Sequence, residues 1–275
     1  SRCYQMSCAV IVPVYRYEME SFEKISLLRL QQLIPDDVYL VAPDGLCLDE
    51  YVNIWPDIRI EYFDSSYFKS VLTYNKLMLS TELYLRFSER YDWMLVHQLD
   101  AFLFHANLKK FTDTKYDYFG APWIPSQVVH PNYKNSCMLK LFGTKISVGN
   151  GGLSLRRISS TLELLNSKQT QPKSWSHNED GFFAYWGMKS KKFKCCTFEM
   201  ASQFAFEKNP EVLFRMNSGK LPLGCHGLPR YHQKFYIAII RPLLNNIMGV
   251  DDALIEKYES LAHQESDNSI TMLNK

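Results

Sequence analysis

Apolar and polar positions change period several times along the first hundred residues, and each change predicts an element. Ala9-Val10-Ile11-Val12-Pro13-Val14-Tyr15 is a β-branched run that predicts a strand. After Ser21, residues Phe22, Ile25, Leu28 and Leu33 fall at roughly helical spacing, with Glu20 and Glu23 at the start, where carboxylates suit the helix dipole. Val38-Tyr39-Leu40-Val41-Ala42 predicts a second strand, closed by the turn signal Pro43-Asp44-Gly45. Ile58 to Phe63 predicts a third by alternation, and Phe68, Val71, Leu72, Asn75 and Leu79 begin a long helical pattern running to about Glu89. A fourth apolar run, Trp93-Met94-Leu95-Val96-His97, rises out of a polar turn and reaches one carboxylate at Asp100 before resuming as Ala-Phe-Leu-Phe.

The second half is less regular. Tyr116 to Trp123 predicts a short strand entering a loop, about Pro125 to Lys140 a mobile polar loop, and Leu153 to Arg157 a strand after Gly149-Asn150-Gly151-Gly152. Ile158 to Leu165 reads as helical, Gln169 to Ser176 as a polar linker, and Asn178-Glu179-Asp180 as the opening of another helix. Leu221 to Gly227 reads as a glycine-crowded loop, Asp251 to Ala262 as a helix, and Gln264 onward as a frayed polar tail. Between them, Lys234 to Met248 is either a helix packed on the domain or, with Lys234 and Arg241, a surface that touches a membrane.

Strands alternating with helices predict an α/β fold with a largely parallel sheet. The expected organisation is one domain over 1–263, with a sheet-forming half to about residue 120, a catalytic half from about 121, and a tail over 264–275. No GxGxxG follows the first strand and no GxxxxGK[ST] occurs, which argues against a dinucleotide fold or a P-loop ATPase.

Composition narrows the class. A chain of 275 residues with 46% hydrophobic and 22% charged positions can bury a sizeable core. Its net charge of +2 gives no electrostatic case for nucleic acid. Cys3, Cys8, Cys47, Cys137, Cys195, Cys196 and Cys225 form no CxxC pair, so reduced thiols and a cytoplasmic compartment are expected. The sequence opens Ser-Arg rather than with Met, which allows it to be a piece of a longer protein. The aromatic content of 14% suits either a Tyr/Phe-rich core or a cleft with platforms for sugar rings.

Four features carry candidate chemistry. Asp100 follows a buried strand, and in open α/β sheets ligands gather at the carboxyl ends of the strands. Gly149 to Gly152 either make a tight turn or let backbone approach a ligand. Glu179 and Asp180 at a helix start either cap it or supply a general base. His226 sits between Gly224 and Gly227, in a loop expected to be too flexible for packing to be the histidine's main task.

In that order these features resemble the core of GT-A glycosyltransferases, with Gln98-Leu99-Asp100, the glycine turn, Asn178-Glu179-Asp180 and His226 as the matching residues. More closely, the phrases VPVY, YNKLML, HQLDAFLF, YDYFGAPW, VGNGGLSLR, NEDGFF and LPLGCHG resemble a family of mainly bacterial polysaccharide-biosynthesis domains thought to be glycosyltransferases. The resemblance implies a GT-A-like, Rossmann-type nucleotide-binding sheet with an irregular acceptor-binding C-terminal half. It implies transfer of a hexose from a nucleotide diphosphate sugar, a UDP-sugar being the expected donor, to a glycan or lipid-linked glycan acceptor. Asp180 would be the general base of an inverting displacement and Glu179 would orient the acceptor. Asp100 and His226 would hold a divalent metal, with Mn2+ fitting a carboxylate and an imidazole somewhat better than Mg2+. Val14, Tyr15, Asp44, Ser70, Tyr74, Asn75, Gln98 and Asp100 are the candidates for the donor, and Trp123, Asn150, Gly151 and Gly152 for the acceptor. Arg156 or Arg157 could meet phosphate.

The pattern departs from the family in one place. Gln98 stands where the motif usually has its first aspartate, and an amide brings no charge to a metal. Two other readings therefore stand beside the transferase: a non-catalytic sugar- or nucleotide-binding domain, and a metal-dependent nucleotidyl transferase or hydrolase.

Overall fold

The structure, a computed structural model, describes residues 7–170, 172–228 and 233–260. Among the described residues eleven strands are formed: β1 (Cys8–Pro13), β2 (Val38–Pro43), β3 (Arg59–Phe63), β4 (Trp93–His97), β5 (Ala101–Leu103), β6 (Tyr118–Phe119), β7 (Ala121–Val129), β8 (Thr144–Gly149), β9 (Leu153–Arg157), β10 (Ala205–Phe206) and β11 (Gly224–His226). Six of them make the main sheet in the order β3-β2-β1-β4-β9-β6. The four from the first half run parallel, and β9 enters antiparallel beside β4. A three-stranded sheet, β10-β11-β5, and a two-stranded one, β7-β8, complete the fold.

The apolar runs explain the centre of the main sheet. Every residue of β2 and β4 is buried, as strands covered on both faces require. The helix Ser21–Leu33 is tied to β5: the Ser26 hydroxyl donates to the Ala101 carbonyl at 2.6 Å, and Arg29 donates to the carbonyls of Leu103 and Phe104. A second apolar cluster, including Phe22, Phe102, Phe206, Tyr236 and Ile240, lies under the small sheet and the helix Gln233–Leu244. The sequence's α/β class is therefore what the chain adopts.

Several local expectations are corrected. The helical pattern from Phe68 to Glu89 is broken into Val71–Met78 and Thr81–Leu85, because the Ser80 hydroxyl accepts the Leu83 N–H and starts a new helix. The region read as a loop over Pro125 to Lys140 contains most of β7, paired with β8, and much of the helix Ser136–Phe142. Gly224–His226 is a strand, not a flexible loop; it pairs antiparallel with β5, placing His226 opposite Ala101. Lys234 to Met248 is largely the helix Gln233–Leu244, with Tyr236, Ile240 and Leu244 buried against the domain. Residues 252–260 are helical, in line with the expected element, whereas the tail from Gln264 lies outside the described residues. Among the described residues no helix is long and apolar enough to cross a membrane.

Candidate active site

The site begins where β4 stops. At its end the Gln98 N–H donates to the Gly152 carbonyl at 2.8 Å, which binds the Gln98-Leu99-Asp100 corner to the glycine turn. The Asp100 carbonyl in turn accepts N–H groups from Gly227 and Leu228, at 3.0 and 3.3 Å. Those two bonds and the β5–β11 pairing bring His226 beside Asp100, with Nε2 3.1 Å from Oδ1. On the other side of the ring, Nδ1 lies 3.4 Å from Oε1 of Glu207, the residue following β10. Burial pulls the His226 imidazole toward neutrality, but Asp100 and Glu207 outweigh it and raise its pKa to about 10. Glu207 is held below the usual glutamate range: burial opposes its charge, and His226 and the Trp123 indole N–H favour it.

The glycine turn makes this closeness sterically possible. A Cβ on Gly152 would lie 1.9 Å from His226 Nε2, and one on Gly151 would lie 2.7 Å from a Glu179 carboxylate oxygen. The two residues thus leave room for two side chains of the site itself. Between Gly149 and Gly151, Asn150 takes a φ of +145°, a sparsely populated conformation for a residue with a side chain. Its Oδ1 accepts the N–H groups of Gly152 and Leu153, a local closure that suits asparagine.

Glu179 and Asp180 do head a helix, Glu179–Lys189, as the sequence suggests, but their environments differ. The Glu179 side chain is 3% exposed and accepts a 2.8 Å bond from Arg156, whose own side chain is 0% exposed. Arg156 also donates to the Tyr84 hydroxyl and to Ser154 Oγ, and its guanidinium lies over the Phe183 ring. With Nε also on Ser154 Oγ and a further contact to Met78 Sδ at 3.8 Å, its five N–H groups are committed inside the protein, which leaves no accessible group for a phosphate. Arg157 is occupied too, pairing with Asp117 and lying over Trp93. Asp180 has no such cation. Burial, then the nearby charges of Glu179 and Glu207, push its pKa up to about 8, while Oδ1 accepts the Gly181 N–H at 2.7 Å.

The remaining candidates divide into those near the centre and those at its margin. Gln98 donates to the Tyr74 hydroxyl at 3.1 Å, and Asn75 donates to the Asn178 side-chain oxygen at 3.2 Å, linking the helix Val71–Met78 to the Glu179 helix. Val14 is buried past the end of β1 and hydrogen-bonds Val41 through its backbone. Tyr15, 63% exposed, and Asp44 lie beyond the carboxyl ends of β1 and β2. The Ser70 hydroxyl caps the helix Val71–Met78, accepting the Thr73 N–H. Trp123 is only 4% exposed; its ring packs over Gly149 and its N–H donates to Glu207 at 3.0 Å. A ring so covered does not present a stacking face to an acceptor sugar.

The residue that sequence reasoning missed is Glu207. Nothing in Phe206-Glu207-Lys208 marks it, because its place depends on β10 pairing with β11. It joins Trp123 to His226 and contributes to the Asp180 shift.

A divalent ion fits two of these side chains. Two ligands of one octahedral cation stand about 3 Å apart, which matches Asp100 Oδ1 and His226 Nε2. His226 faces a carboxylate at each ring nitrogen, so a divalent ion would take the place of the Nε2–Asp100 ion pair and require the imidazole to lose a proton. Among the described residues no group of three or more His, Cys, Asp or Glu side chains could enclose an ion, so the remaining ligands would have to be donor phosphates and water.

A protein-family profile described as protein of unknown function (DUF5672) matches residues 57–226, well over half of the chain. A search of the curated proteins finds no match. Among solved structures, this chain is similar to mouse xyloside xylosyltransferase 1 in its apo form, with a TM-score of 0.49, 10% identity, and coverage of 80% of this chain and 97% of that one. It is also similar to the apo structure of the bifunctional glycosyltransferase WbbM, with a TM-score of 0.49, 12% identity and coverage of 94% of this chain. The match spans about half of WbbM, 52% of its length.

Proposed function

The chain belongs to the family described as protein of unknown function (DUF5672), and for this member we propose a glycosyltransferase that moves a hexose from a nucleotide diphosphate sugar, a UDP-sugar first among them, to a glycan acceptor. The observation that carries the reading is the pairing of Asp100 with His226 at 3.1 Å, beside the glycine turn whose other flank holds Glu179 and leads to Asp180. A parallel sheet edge, a carboxylate–imidazole pair and a carboxyl group of raised pKa are what such a reaction needs in one place.

In this reading the nucleotide lies over the carboxyl ends of β1 and β2, near Val14, Tyr15 and Asp44, with Tyr74 and Gln98 bordering its sugar end. Asp100 and His226 would hold a Mn2+ or Mg2+ ion, which would supply positive charge to the diphosphate when bound. Asp180 accepts the proton of an acceptor hydroxyl through the carboxylate oxygen not bonded to Gly181. The hydroxyl oxygen bonds to the anomeric carbon as the bond to the diphosphate breaks, a single displacement that inverts configuration. Glu179, bound to Arg156, fixes the helix start that carries Asp180 and leaves acceptor contacts to other groups. Synthesis of a bacterial surface polysaccharide at the cytoplasmic face of the membrane is the biological setting we assign, on the resemblance of VGNGGLSLR, NEDGFF and their companion phrases.

Calorimetric titration with UDP, GDP, CDP and ADP, each with and without Mn2+, tests the proposal. UDP is expected to bind more tightly with the ion, and Asp100→Asn to remove that gain. Failure of all four nucleotides to bind would overturn the transferase in favour of a non-catalytic sugar-binding domain.

A further inference from the structure

A cavity lies away from the carboxylate–histidine cluster. It measures about 310 Å3, at the lower end of the range for small-ligand sites, ~300–1,000 Å3. Its wall carries Trp175, Tyr185 and Trp186 together with the polar side chains of Asn132 and Gln169. Among the described residues it includes no Asp, Glu, Lys or Arg; His130 is also on the wall, and the Lys189 ammonium lies 5.9 Å from the centre of the Tyr185 ring. Tyr185 and Trp186 sit on the Glu179–Lys189 helix roughly 120–140° around its axis from Asp180, so the hollow opens on another side of that helix.

The wall is already assembled. His177 Nε2 lies 3.0 and 2.9 Å from the carbonyl oxygens of His130 and Tyr133, fastening that turn next to Trp175. The His130 and Tyr133 rings stack at 4.5 Å, and Trp175 donates to the Asn178 carbonyl at 2.8 Å. Tyr185 and Trp186 meet edge to face at 5.2 Å. The Trp186 indole N–H is buried without a partner, an unmet donor on a wall residue.

Three aromatic rings beside neutral amides suit one chemical class. Among the described residues the wall has no Lys or Arg to bracket a phosphate or carboxylate, and a purely apolar ligand would gain nothing from the amides of Asn132 and Gln169. A pyranose ring offers C–H faces to the aromatics and hydroxyl edges to the amides. We propose that this hollow binds a neutral pyranose unit of a glycan, at a site separate from the Asp100–His226–Asp180 cluster. The site does not depend on the transferase reading, since it uses none of that cluster's residues.

Saturation-transfer difference NMR with methyl β-glucoside, methyl β-galactoside, methyl α-mannoside and methyl β-xyloside tests it. At least one is expected to bind, with affinity about tenfold weaker in Tyr185→Ala, the loss expected for one aromatic contact of about 1.4 kcal/mol. Asp180→Asn is expected to leave this binding unchanged. Asn132 and Gln169 are exposed, so the double substitution Asn132→Ala with Gln169→Ala decides the matter if Tyr185→Ala fails to fold. The proposal is overturned if no pyranoside binds the wild type, if the folded double variant binds as the wild type does, or if Asp180→Asn abolishes binding. UDP titration of the same samples reports separately on the transferase reading.

Discussion

Glu207 faces Nδ1 of His226 at 3.4 Å and leaves Nε2 for Asp100. A carboxylate behind an imidazole keeps the proton on the near nitrogen and turns the far one toward a ligand. Glu207→Gln preserves an oxygen for the Trp123 N–H but removes the charge. Mn2+ affinity measured by calorimetry in the presence of UDP is expected to fall about 10- to 100-fold. An unchanged affinity would show that Glu207 does not orient His226.

Asp180 has to be deprotonated to act as a base, and its pKa of about 8 puts that event within a measurable range. The rate of transfer at subsaturating acceptor is expected to rise with pH and level off above about 8. Asp180→Asn should abolish transfer while UDP still binds. The same shift has a stability consequence. The folded state keeps the Asp180 proton between the ordinary value of 3.8 and about 8, so stability contributed by this group falls as pH rises through that window. Asp180→Asn is expected to raise Tm relative to wild type, with the gap widening from pH 5 to pH 8; a constant gap would mean that the carboxyl titrates normally.

Gly152→Ala and Gly181→Ala should have opposite signs. The first places a methyl group 1.9 Å from His226 Nε2, and such overpacking costs about 1–3 kcal/mol. The second adds a methyl whose nearest neighbour is 3.6 Å away, inside a helix, where alanine is favoured over glycine by roughly 0.5–1 kcal/mol. Urea denaturation of the two variants reads both signs directly.

Arg156→Met would strand the Glu179 carboxylate in the interior. Loss of one partner of a buried pair costs about 3–5 kcal/mol, whereas replacing both is far milder. The double variant Arg156→Met with Glu179→Gln is expected to recover most of the lost stability by urea denaturation. If it recovers none, the pair matters for its contacts to Tyr84 and Ser154 rather than for its charge.

Elements whose signal is local were legible in the sequence. The buried runs of β1, β2 and β4 and the start of the Glu179 helix follow from apolar periodicity and helix-end chemistry. Asp100, the glycine turn, Glu179 and His226 were also legible as a set, and the fold brings them together. What stayed hidden depends on pairing between distant segments. Gly224–His226 looks like a loop because its glycines outweigh three residues of strand, and only pairing with the distant β10 and β5 makes it one. Trp123 reads equally as a stacking platform or a packed core ring until Gly149 is found beneath it. Arg156 reads as a surface cation at a strand end, yet its strand lies inside the main sheet with Glu179 above it.

The order of strands bears on how such a protein can be divided or recombined. β9, from the second half, fills the open edge of β4, while β5, from the first half, pairs with β11. Each half thus completes a sheet that the other begins. A fragment ending near residue 120 would expose the β4 edge, and is expected to aggregate rather than bind nucleotide.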